Sequence, residues 1–424
     1  MPRLQSDTPH QRKRRAPLLA QGFGLLQLVI FASVVFYCSF APQAFAASSD
    51  PPAYKDDIRP YVEFLSKEFP DPVDYIMGLF ERYDMVILCE RFHPEITQYH
   101  LFFKLVSDER FIRDVGHVFT ELGSSSRQAD FEKVMDAPGL SEKELSSRLM
   151  SVYRDLNYYP LWGNYNPFDF WRRVYILNQT LDPDRKIRIH LSDVPFNWDG
   201  MTIEKYKEFD LANRENRDRI MANQIDAGFK AIQNSNQQRK KALVIVNYRH
   251  AFNDFHYDDG TQGDNAGRYL FEAYRDRVCN VMINECAHGK NGTYTPAQNG
   301  KWDAAFRVVG NPNIGFDFKG SPFGSDQFDY WPHKEQVQNV DCQDVFTGFV
   351  FWLPLKEHII MDGCCPGNID KEFAKELSRR WEITGRSYKP WMLRLWGLFR
   401  GNRMHQERYD ELGKHEKTIR FWLK

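Results

Sequence analysis

Apolar residues gather in short, β-branched-rich runs along the chain, and four of these runs end on ionisable side chains. Asp84–Cys89 runs into Glu90-Arg91-Phe92-His93, and Val115–Thr120 into Glu121. Ile187–Ser192 runs into Asp193, and Ala242–Val246 into Asn247-Tyr248-Arg249-His250. Short runs of this kind, separated by longer helical stretches, predict parallel strands joined by helices. Such sheets bind ligands outside the carboxyl ends of their strands. Glu90, His93, Glu121, Asp193 and His250 should therefore converge on one crevice.

The stretches between the runs supply the helices. Tyr61–Phe69 is amphipathic, and Pro94 reads as the first turn of a helix over Glu95–Asp108. Ser124–Asn157 is helical and polar, Trp162–Pro167 is an aromatic loop, and Phe168–Gln179 is a further helix. Ile203–Ser235 and Asn265–Tyr274 are also helical by pattern. A fifth strand is expected at Val278–Ile283 and a sixth at Phe346–Trp352, with a long ordered loop over Gly289–Asn339. The expected fold is α/β, a central and mostly parallel sheet flanked by helices. Residues 73–370 would form the α/β catalytic domain, after a lead-in over 47–72 and before a C-terminal extension over 371–424.

With 424 residues the chain is long enough for one elaborated α/β domain or two. A net charge of −1 points neither to nucleic acid nor to disorder. An aromatic content of 15% fits a ring-lined cleft for a small-molecule substrate, or an aromatic core. Arg12-Lys13-Arg14-Arg15, the apolar stretch Leu18–Phe40 and then Ala44-Phe45-Ala46 have the order of a secretory signal. The mature chain is expected to begin near Ala47 in the periplasm or outside the cell. The length of the apolar stretch makes an uncleaved membrane anchor the alternative. Cys38 lacks the small residues that precede a lipidated cysteine. Six cysteines follow the signal: Cys89, Cys279, Cys286, Cys342, Cys364 and Cys365. An oxidising compartment permits disulfides among them, but no Cys-x-x-Cys pair suggests a zinc ribbon, and Cys89 reads as a buried thiol.

Residues 371–424 change character: 14 Lys and Arg stand against 7 Asp and Glu, an excess of +7 interleaved with Trp381, Trp391, Trp396 and Trp422. The stretch Pro390–Arg400 is expected to cap the sheet as a helix, with peripheral contact at an anionic membrane surface as the alternative.

The chemistry centres on Glu90 and His93. Proline disfavours the α conformation in the residue before it, so His93 is expected to sit extended at a helix N-terminus. The helix dipole would there hold the imidazole neutral, as a general base requires. Glu90 either orients that ring or caps the helix. Glu90, His93, Glu121 and His250 also make a plausible divalent-metal set. No helical His-x-x-x-His pair is present, however, and a metal-free site is favoured. His117 and His190 fall inside strands, and His256 lies in a loop that can rim the site. Asn178-Gln179-Thr180 and Asn291-Gly292-Thr293 match glycosylation sequons.

The order Glu-x-x-His, Glu, Asp, His at successive strand ends resembles the erythromycin esterase superfamily, which also includes ChaN-like haem-binding and TIKI/TraB-like proteins. Phe170–Asn178, Arg217–Asn223 and Asn265–Leu270 with Arg275–Val278 are similar to segments of the esterase branch. The chain departs from that pattern at Cys89, where the family has Gly, at Pro94, and at Asn247, where a second His is common. The resemblance implies hydrolysis of an ester or related acyl bond by an activated water. In that reading His93 is the base, Glu90 and Glu121 orient it and the water, and His250 stabilises the oxyanion or acts as second acid/base. Asp193, Asn247, Arg91 and Arg249 would bind substrate. A haem- or iron-binding protein without turnover and a metal-dependent protease are the alternatives within the superfamily.

Overall fold

Val86 and Leu88 pack into one apolar core while Met85, Ile87 and Cys89 pack into another. A strand buried on both faces needs a covered sheet, and that is the architecture in the computed structural model. It describes residues 53–253, 263–288, 294–330, 340–362, 368–401, 405–408 and 412–424. Residues 52–424 form one compact unit. All three stretches of the expected secretory signal and His256, Asn291, Cys364 and Cys365 lie outside the described residues.

The first five strands are β1 (Met85–Glu90), β2 (His117–Ser124), β3 (Arg188–Asp193), β4 (Ala242–Asn247) and β5 (Val278–Ile283). They lie side by side in the order β3-β2-β4-β1-β5, followed by the strands Gly348–Phe351 and Ile314–Asp317. Every pairing in this seven-stranded sheet is parallel except the last, between Ile314–Asp317 and Gly348–Phe351. The central α/β fold is therefore as expected. The Ile314–Asp317 edge strand and the helix Lys301–Val308 both arise within the segment read as a loop. The strand is short, contains Gly315 and follows Gly310-Asn311-Pro312-Asn313, so its turn residues mask it.

Two details of register place the site. Glu90 of β1 lies opposite Asn247 of β4, so these central strands end level. On β2 the pairing with β3 slips between Thr120 and Ser124, a bulge around Glu121. Bulges re-aim side chains next to sites. Gly123 sits in this bulge at φ +120°, and a Cβ there would lie 2.5 Å from Leu191. Only glycine allows the chain to turn that tightly against β3.

Several expectations resolve as structural roles. His117 and His190 stack with Nδ1 and Nε2 3.1 Å apart, and burial pushes their pKa values down to about 4 and about 3. Asn178 is 2% exposed and brackets Ile187 with two hydrogen bonds, which rules out the role of glycosylation acceptor at that sequon. Cys89, Cys279 and Cys342 are free and buried, and the buried Cys286 Sγ lies 3.7 Å from His415 Nε2. The C-terminal residues are woven into the unit. His405–Arg408 pairs antiparallel with Ile359–Asp362, Ile419 enters the core, and the Lys424 N–H donates to the Ala53 carbonyl at 2.6 Å.

Candidate active site

The β1 end carries the first half of the site. His93 Nδ1 lies 2.9 Å from Glu90 Oε2, and the Tyr99 hydroxyl donates to Glu90 Oε1 at 2.7 Å. The helix after this turn begins at Thr97, two residues after the expected start at Glu95. Glu95, not Glu90, accepts from its first N–H groups, those of Thr97 and Gln98, at 2.7 and 3.0 Å. The expected dipole effect on His93 is consequently overturned. Burial alone would lower its pKa, but the Glu90 charge and hydrogen bond, with Glu121 behind them, raise it on balance. Asn166 holds the His93 carbonyl at 3.0 Å, and the Trp162 ring meets the imidazole edge-on at 5.1 Å.

The second half hangs on Glu121 and on two residues that strand-end reasoning missed, Arg217 and Asp218. They open the helix Arg217–Asn234, whose first turn lies over the β3 end. Arg217 clasps Asp193 with two hydrogen bonds, at 2.9 and 3.0 Å, and reaches Glu121 Oε1 at 3.1 Å. His250 comes off a 3-10 turn after β4, with Nδ1 2.7 Å from Asp218 Oδ1 and Nε2 3.4 Å from Glu121 Oε1. Burial opposes the charge on His250, yet Asp218 and Glu121 push its pKa up to about 10. Burial likewise opposes the charge on Glu121, but His250 and Arg217 hold its pKa well below the usual carboxylate range. The Arg217 and His250 cations approach to 3.3 Å because Glu121 Oε1 bridges them.

Glu90, His93, Glu121, Asp193 and His250 are thus brought into one contiguous cluster. The other candidates take different posts. Asn247 is buried, and its side-chain amide donates to the Glu90 and Arg91 carbonyls at 3.3 and 3.0 Å. Its backbone N–H donates to Glu121 Oε2 at 2.7 Å, so it locks the strand ends together. Arg91, expected at the substrate, instead buries its guanidinium against Glu95, Asn284, His358 and the Trp352 carbonyl. Arg249 is exposed. The only sequence signal for Arg217 and Asp218 was the short segment resembling the esterase branch.

Beside the β3 end lies a cavity of about 230 Å³, lined by Tyr158, Tyr159, Val194, Tyr206 and Phe209 on one part and by Asp210, Asn213 and Arg214 on the other. Tyr159 touches Trp162, which touches His93, so an aromatic wall connects this cavity to the imidazole.

Donor atoms of Glu90, His93 and Glu121 all lie within 4.8 Å of one another, a separation that one cation or one water can bridge. A cation would have to share Glu121 with the Arg217 guanidinium and the His250 imidazolium, both already on that carboxylate. The donor set fits a divalent ion in composition, but the cluster already holds two cations against Glu121, Asp193 and Asp218.

No protein-family model and no curated protein matches the chain. Among solved structures it is similar to a Bacillus cereus protein, at 12% identity and a TM-score of 0.44, covering 69% of this chain and 97% of that one. An erythromycin esterase mutant in its open conformation aligns at 10% identity and a TM-score of 0.41, covering 71% and 96%. ChaN of Campylobacter jejuni, solved with cofacial haem, aligns at 13% identity and a TM-score of 0.29, covering 50% and 86%. The chemistry has to be read from the side chains themselves.

Proposed function

We propose that the protein is an exported hydrolase that cleaves an ester or related acyl bond with an activated water. The observation that carries this reading is the Glu90–His93 pair, facing the Arg217 and His250 cations across Glu121. A carboxylate at Nδ1 fixes the tautomer that leaves Nε2 to take a proton from water, and it stabilises the imidazolium that results. Glu121 is held ionised and shares the water's surroundings with His93. Arg217 and His250 supply positive charge where an oxyanion develops. The aromatic cavity takes the apolar part of the ester. Hydrolysis needs no metal in this scheme, because the cluster's own cations carry the electrostatic role.

The test is a screen of p-nitrophenyl esters of increasing acyl length, run with and without EDTA and alongside an absorption spectrum after haem addition. Turnover that EDTA leaves unchanged is the expected result. Turnover lost to EDTA and restored by zinc or manganese would replace this scheme with a metallohydrolase. A Soret band without turnover would replace it with a haem-binding protein.

The pH profile carries a second expectation. The raised His93 pKa places the acid limb of kcat/KM above 6.5, the ordinary imidazole value, because the base must be deprotonated. Loss of the His250 proton near pH 10 should bring the alkaline fall. Glu90→Gln removes the main influence raising His93 and leaves burial, so its acid limb should move to lower pH while kcat falls. An acid limb unmoved by Glu90→Gln would separate His93 from the proton transfer.

A further inference from the structure

The helix Pro390–Gly401 presents an apolar face to solvent. Leu393 and Gly397, four residues apart, form its docked stripe. Leu393 joins Ile369, Phe373 and Leu377, and Gly397 leaves room for Ile369 where a Cβ would meet it at 2.7 Å. Trp391, Leu395 and Phe399 share the opposite face at the same spacing and are 66%, 45% and 56% exposed. Met392 and Leu398 flank them and are exposed as well. A surface helix normally turns its apolar stripe inward and its charges outward. Here both faces are apolar, and the charge around the outer one has a single sign. Exposed Arg386 and Lys389 lead into the helix and exposed Arg394 lies on it, and no acidic residue occurs between Glu382 and Glu407.

We infer that this helix lies in the interface of an anionic lipid bilayer, with the Trp391-Leu395-Phe399 stripe inserted and Arg386, Lys389 and Arg394 among the headgroups. Charge complementarity selects the occupant. A basic, acid-free rim around exposed Trp, Leu and Phe fits phosphate headgroups over acyl chains. It fits a second copy of the same face poorly, because like charges would then meet. The geometry is in-plane: no helix among the described residues is long and apolar enough to cross a membrane. The contact is independent of the hydrolytic reading. It would hold the enzyme at a lipid surface whatever its ester.

The experiment places a nitroxide at Leu395→Cys in the full chain, with the unsubstituted chain labelled in parallel as background. Collision with oxygen and with a water-soluble nickel chelate is read by electron paramagnetic resonance. Adding vesicles of phosphatidylcholine with about a third phosphatidylglycerol should raise oxygen access and cut chelate access at position 395. Pure phosphatidylcholine should do so far less, since each basic residue near an anionic surface is worth about fivefold in affinity. Arg386→Glu combined with Lys389→Glu should abolish the preference. A nitroxide that stays open to the chelate on anionic vesicles overturns the inference, even if another part of the chain binds them. Loss of chelate access without vesicles, together with a doubled mass in solution, would assign the face to a second copy and overturn it equally.

Discussion

Replacing His93 by Ala is expected to lower kcat on the best ester of the screen by about 10²- to 10⁴-fold, the usual contribution of a general base. The fold should survive the change. The His93 side chain is 21% exposed, and Glu90 keeps the Tyr99 hydroxyl at 2.7 Å after the imidazole is gone. Thermal unfolding and circular dichroism of the variant should therefore match the parent, while KM changes little. His93→Gln is the informative companion, because it keeps a hydrogen bond to Glu90 without a group that can take a proton. Both variants should be equally inactive if proton transfer is the lost function. Full turnover in His93→Ala would move the base elsewhere in the cluster, and Glu121 is too firmly ion-paired to be a ready substitute.

The parallel strands were legible because alternation and burial follow directly from residue type. Met85 to Cys89 faces two cores, and no other element accommodates so short an apolar run between helices. The strand-end rule then brought Glu90, Glu121, Asp193 and His250 to one edge of the sheet. Features that depend on tertiary partners were not legible. Pro94 restricts its predecessor, but the helix start is set by Glu95 and Gln98, whose side chains serve the turn and its backbone groups. Nothing local distinguishes Arg91, which folds into a buried network, from Arg249, which stays exposed two residues after β4. The direction of the His93 pKa shift reversed for the same reason: it is decided by a carboxylate 2.9 Å away and not by the helix that follows.

Arg217 shows how much of the site lay hidden between the strand ends. In sequence it is one cation in a polar helix. In the structure it is the tie between β2, β3 and the Asp218–His250 pair. Asp193 is fully buried and Glu121 only 3% exposed, so both carboxylates rely on this guanidinium for compensation.

Arg217→Met is accordingly expected to destabilise the protein by about 3–5 kcal/mol at neutral pH, the usual cost of removing one partner from a buried ion pair. Turnover should fall with it, because a cation beside the oxyanion position is lost. The pH dependence distinguishes this cause from lost packing. In the parent, Glu121 and Asp218 have folded pKa values below their unfolded 4.5 and 3.8. Their contribution is present above those unfolded values and is lost as pH falls through the folded ones. His250 acts in the opposite sense, contributing fully below its unfolded 6.5 and losing that contribution as pH rises toward about 10. Without Arg217, Glu121 and Asp218 bind protons more readily, so acid should relieve the variant of part of its penalty. The stability gap between parent and Arg217→Met, measured by urea unfolding, should therefore be widest near neutral pH and narrow as pH falls toward 4. A gap that stayed constant across that range would mean that the arginine stabilises the fold through its aliphatic stem and not through its charge.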